Sequence, residues 1–214
     1  VRQSRMPRKR PAARALTAIR RWITGAPGTY TWLILLLLTT VFAQELPAQP
    51  SASLHVLMDD PLRVLLPGAL RIDGGHWLLY AALFTVFHAT AEHWLGTLRW
   101  LTVAAAAQFL APFVTAAVLT WAVRHGHAPP YAVHTPGTGP GYALAGVAAV
   151  LTYRIPRPWR ALYAFAVLVA HAVPLVSGST FAELGHSTAV LTGLACYPLV
   201  RALPRCETRG ATAQ

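Results

Sequence analysis

Six ionisable residues interrupt the apolar stretches of this chain: His76, His88, Glu92, His93, His171 and His186. A titratable group in a lipid-like environment is costly unless it is paired or used, so each marks a position where proton transfer or polar recognition can occur. His88 and Glu92 stand four residues apart, a spacing that puts both on one helix face and predicts a structural ion pair. His171 is isolated and reads as a neutral, hydrogen-bonded histidine. His186 lies in Gly185-His186-Ser187-Thr188-Ala189, and Ala189 and Gly193 follow it at +3 and +7 on the same face. Small residues on that face let a second helix approach closely, which predicts an imidazole at a tight helix–helix seam. A second chemical candidate is the run from Pro136 through Gly137, Thr138, Gly139, Pro140, Gly141 and Tyr142 to Gly146. Glycines there let backbone N–H groups face a cavity, where they stabilise an oxyanion or hold a polar group. The same run also fits a plain outer loop feeding a helix.

The elements that must position these residues are membrane helices. Of 214 residues 55% are apolar and only 12% are charged, whereas a soluble domain carries about 25% charged residues. The net charge of +11 does not imply nucleic-acid binding, because its distribution follows topology. Eight basic residues precede the first apolar run, and most others sit in short connections. Lys9 is the only lysine, and the abundance of Arg and Ala suggests a GC-rich bacterial genome. Cys196 and Cys206 form no disulfide framework and read as free thiols. The composition calls for no metal and no cofactor.

The first span reads from about Tyr30 to Ala43. Its basic lead and short apolar core also resemble a signal peptide, but the later topology needs an uncleaved anchor. From Gln44 to Gly75 the chain is too interrupted to span, although Leu54 to Leu70 suits short interfacial helices. Further spans read as His76 through Phe87 towards Trp94, Leu98 to Val123, Gly141 to Ile155, Trp159 to Val176, and His186 to Leu203. The expectation is an all-α, multi-pass bundle of six spans over 29–203, with a basic segment 1–28 before it and a polar tail 204–214 after it. With both termini in the cytoplasm, fifteen of the 18 basic residues lie inside, and only Arg63, Arg71 and Arg124 lie outside. The expected location is the plasma membrane, with the bilayer as the solvent of the spans.

On this topology the residues resemble the rhomboid family of intramembrane serine proteases. Leu62-Arg63, thirteen residues before His76, resembles the Trp-Arg pair of the family's first loop. His76 opens the second span like the histidine lining the family's oxyanion site. Glu92 and Gly96 follow at +16 and +20, where the family carries a Glu and a Gly ending that span. The glycine-rich run before the fourth span resembles the Gly-x-Ser-Gly nucleophile motif. His186, Ala189 and Gly193 resemble the last-span motif that carries the catalytic histidine. The resemblance covers about residues 30 to 203 and implies a six-span rhomboid-like bundle.

In the family a Ser–His pair does the chemistry: the imidazole takes the serine proton and the oxygen attacks the peptide carbonyl. Here no serine occupies the nucleophile segment. One register puts Thr138 at the nucleophile, followed by Gly139; the other reads Gly139-Pro140-Gly141 as the motif and puts Gly141 there. Threonine has a hydroxyl with a restricted χ1, and glycine has no nucleophile at all. The family's oxyanion Asn corresponds to Tyr80. The resemblance therefore implies a rhomboid-like protein that has lost proteolysis and binds transmembrane helices of other proteins. A divergent protease using Thr138 with His186 is the rival expectation, and a small transporter or channel is a third.

Overall fold

The computed structural model describes residues 11–42, 57, 59–72, 77–127, 139–178 and 181–201. Among them the secondary structure is helical throughout. Helix α1 spans Pro11–Thr24 and α2 spans Pro27–Phe42. The two are bent by 88° at the break between them. A short helix, α3 (Pro61–Ala69), follows behind an N-cap at Asp60, whose carboxylate accepts from the Arg63 N–H. Helix α4 runs unbroken as Trp77–Leu83, a π turn Phe84–His88, and Ala89–Leu95. It stops at Gly96, whose φ of 81° is a conformation that side chains with a Cβ rarely adopt. Helix α5 is Thr97–Arg124, α6 is Gly141–Val150 with a 3-10 turn Leu151–Tyr153, and α7 is Arg157–Gly178. Helix α8 is Phe181–Ala195, and the short α9 is Tyr197–Arg201.

Helices occupy all six segments that the sequence marks as spans, and α3 lies within the interrupted connection where surface helices were expected. Helix α1 is an addition: the basic segment 1–28 contains a formed helix that its charge pattern did not announce. Among the described residues α5 alone is long and apolar enough to cross a bilayer by itself, and the bent α1–α2 pair qualifies when taken as one span.

Helices α5, α6 and α8 form the centre of the bundle, and α7 packs on α8. Helix α6 is apolar on every side, so it must be enclosed, and all but its residues Gly141 and Leu144 are buried. The interior that encloses it is built from small side chains: Ala104, Ala107, Ala111, Ala145, Ala149 and Ala189. Trp100 and Phe84 are buried, but many large side chains point outward, as with Leu98 at 81%, Leu78 at 78% and Phe165 at 65% exposure. Alanine inside and leucine outside is the arrangement of helices that meet by close backbone approach and face lipid. In water such an outer surface would be an extended apolar patch.

Candidate functional site

The site forms along the seam between α6 and α8. Gly193 rests on the main chain of Gly146, so close that a β-carbon at Gly193 would overlap the Gly146 carbonyl oxygen. Gly146 in turn faces the Ala107 methyl of α5 and lies 3.2 Å, measured from where its β-carbon would be, from the Ala189 carbonyl oxygen. One turn before Ala189 in α8, Gly185 is covered by the Tyr142 ring. This stack of small residues brings the first turn of α6 against His186.

His186 lies directly over Gly141. A β-carbon built on Gly141 would stand 2.7 Å from His186 Cε1, 3.6 Å from Nε2 and 3.7 Å from Nδ1. The imidazole thus occupies the space that a side chain at position 141 would need. Its other neighbours are Tyr142, with ring centroids 4.8 Å apart, and His171 at 6.1 Å. His171, expected to be isolated, is therefore part of this group. A carbonyl only accepts, so His171 Nδ1 carries a proton and donates to the Val167 carbonyl at 2.9 Å, while Ser187 Oγ donates to the His171 carbonyl at 3.1 Å.

Gln108 of α5 holds the start of α6 in place. Its Nε2 donates to the Gly139 carbonyl at 3.3 Å, and its Oε1 accepts from the Ala143 N–H at 3.2 Å. The Ala143 N–H is one of the first-turn donors that no helical carbonyl can satisfy. Gln108 belongs to none of the motifs read in the sequence. Its one signal in the sequence was an amide side chain in the middle of a largely apolar run.

The remaining expected positions are distributed elsewhere. His76 and Thr138 lie outside the described residues. Tyr80 is half-buried against the cluster Leu33, Leu36, Ile72 and Phe84, a different group from that around His186. Arg63 is 83% exposed and pairs with Asp60 at 3.5 Å. Gly96 terminates α4.

The expected His88–Glu92 pair does not form. Glu92 instead reaches the first turn of α2. Its Oε1 accepts from the Gly28 N–H at 2.9 Å and Thr97 Oγ1 at 2.8 Å, and its Oε2 from the Thr29 N–H at 2.7 Å and Thr29 Oγ1 at 2.8 Å. A carboxylate at a helix N-terminus satisfies free donors and complements the helix dipole, which outcompetes a neighbouring imidazole. His88 is fully buried, stacked on Phe84 at 4.1 Å, and accepts from Trp100 Nε1 at 3.2 Å. His93, at the end of α4, donates through Nε2 to the Trp22 carbonyl at 2.9 Å and packs on the Trp22 ring at 4.4 Å.

A family model described as rhomboid-like protein matches residues 21–206. None of the curated proteins and none of the solved structures compared with the chain matches it. The match takes in every helix from α2 to α9, including the α6–α8 seam. This chain is a member of the rhomboid-like family, and hence an intramembrane protein.

Proposed function

We propose that this chain is a six-span protein of the plasma membrane, with both termini cytoplasmic, that has lost proteolysis and holds transmembrane segments of partner proteins. The spans are α2, α4, α5, α6, α7 and α8, and the positive-inside distribution supports their orientation. The basic segment 1–28 and the tail 204–214 flank this single membrane domain 29–203. Helix α6 with its 3-10 turn, Gly141–Tyr153, covers about 20 Å at 1.5 Å per residue. The hydrocarbon layer is about 30 Å thick. With Arg154, Arg157 and Arg160 at the cytoplasmic surface, the Gly141 end begins about 10 Å below the outer surface. A guest helix would meet the His186 group inside the bilayer.

The observation that carries the loss of proteolysis is the contact of His186 with Gly141. The residue beneath the imidazole has no hydroxyl to surrender a proton, and the imidazole fills the space that a side chain there would need. Of the two registers, Gly141 at the nucleophile position accords with this contact. Without a nucleophile an acyl-transfer site keeps only residual rate enhancement.

The test is reconstitution with a helical transmembrane substrate carrying a photocrosslinker. We expect crosslinking without cleavage, unchanged in Thr138→Ala. Cleavage by the wild type that disappears in both Thr138→Ala and His186→Ala would establish the rival protease and end this reading.

A further inference from the structure

We infer that α1 is an interfacial helix whose apolar face lies in the cytoplasmic leaflet and whose arginines bind anionic phospholipid headgroups. The inference rests on the reading of α2 as a membrane span.

Three observations converge on it. The first is direction. The axis of α1 turns by 88° from that of α2, so when α2 crosses the bilayer α1 must run along its surface. The second is the pattern on α1. Leu16, Ile19, Trp22 and Ile23 recur at +3, +6 and +7, within an arc of about 120°. All four are exposed in the isolated chain, Leu16 and Ile19 by 68% and 55%. Arg20 flanks this stripe, and Arg21 falls about 140° from Leu16, on the far side. A helix with an apolar stripe, a basic flank and an indole is built for the boundary between headgroups and acyl chains. The third is charge. No acidic residue precedes Glu45, so the arginines of α1 have no carboxylate on their own or the adjoining helix. A headgroup phosphate supplies the complementary anion.

The corner is also fastened to the bundle. His93 donates to the Trp22 carbonyl at 2.9 Å, and Gly25 lets the chain close over the imidazole, where a β-carbon would overlap its ring. Thr24 Oγ1 closes the last turn of α1 by donating to the Arg20 carbonyl at 2.9 Å. An arm held at its root keeps one orientation, so the apolar stripe presents a fixed face to the bilayer.

The test uses the full chain in lipid nanodiscs with Cys196 and Cys206 replaced by Ser, carrying single nitroxide labels at Ile19→Cys, Arg21→Cys and Leu37→Cys, read by oxygen and nickel accessibility. We expect lipid-depth values at 19 and 37 and a headgroup or aqueous value at 21. Lipid analysis of the purified chain should show phosphatidylglycerol enriched over phosphatidylcholine, and Arg20→Gln with Arg21→Gln should lower that enrichment about fivefold for each arginine. An aqueous value at 19 with a lipid value at 37 overturns the inference and leaves α2 a span. Aqueous values at both overturn the span reading as well. A label at 19 shielded from both oxygen and nickel means that protein covers the stripe, and it too overturns the inference, as does an enrichment unchanged by the double substitution.

Discussion

Replacing Glu92 is the most demanding check on how the bundle is tied together. The carboxylate is 1% exposed and takes four hydrogen bonds, two on each oxygen. Two of the donors are backbone N–H groups in the first turn of α2, which have no partner within their own helix. Glu92→Gln keeps one acceptor oxygen and its two partners. The new amide NH2 then faces a backbone N–H and a hydroxyl, so one bond to a charged acceptor is lost outright and the Thr29 hydroxyl must reorient. Bonds to a charged group contribute about 1.5–3 kcal/mol each, and leaving a donor buried without a partner costs about 1–3 kcal/mol. These overlap, so the expected loss is about 2–3 kcal/mol for Glu92→Gln and about 3–5 kcal/mol for Glu92→Ala, which orphans all four donors. The assay is equilibrium unfolding of the purified protein in mixed micelles by SDS titration. It should be followed by hydrogen exchange at Gly28 and Thr29, where protection should fall in both variants. A Glu92→Gln protein within about 0.5 kcal/mol of wild type, with those amides still protected, would refute the argument that this carboxylate anchors α2.

Three further outcomes are expected. Gly193→Leu places a β-carbon on the Gly146 carbonyl, so α6 and α8 must separate; a loss of about 2–3 kcal/mol or failure to fold should appear in the same unfolding assay. Gln108→Leu removes the acceptor of the Ala143 N–H and the donor to Gly139. Its cost is about 1–3 kcal/mol, and hydrogen exchange at Ala143 should accelerate more than exchange in the middle of α5. His93→Ala releases the Trp22 carbonyl at an exposed corner. Global stability should change by no more than about 1 kcal/mol, while limited proteolysis between Arg20 and Gly25 should become faster.

The helices themselves were legible, because apolar runs and their polar punctuation are local and each run became a helix. The +3 and +7 spacing of Ala189 and Gly193 from His186 pointed to one face, and that face is the one packed on α6. What was not legible depends on which helix lies next to which. A spacing of four suggested His88 as the partner of Glu92, whereas three of its four hydrogen bonds come from Gly28 and Thr29, 64 and 63 residues away, and the fourth from Thr97. Gln108 offered no motif, and its value appears only once Gly139 and the first turn of α6 lie beside α5. The two registers of the glycine-rich run were equal on spacing alone, since the contact of Gly141 with His186 is a property of the seam. The π turn in α4 was also hidden, because an extra residue per turn leaves no compositional trace.

The back-to-back glycines of α6 and α8 have a mechanical consequence. With Gly193 seated on the Gly146 main chain, the two helices can neither slide nor roll without driving carbonyl oxygen into backbone. They behave as a single strut, and α5 is locked to it through Ala107 and Gln108. Compliance must then reside at the periphery, in α2 and α3, which share far fewer neighbours with the centre. If the chain holds a transmembrane segment as proposed, that segment would lean α2 aside rather than part α6 from α8, and the imidazole would stay over Gly141.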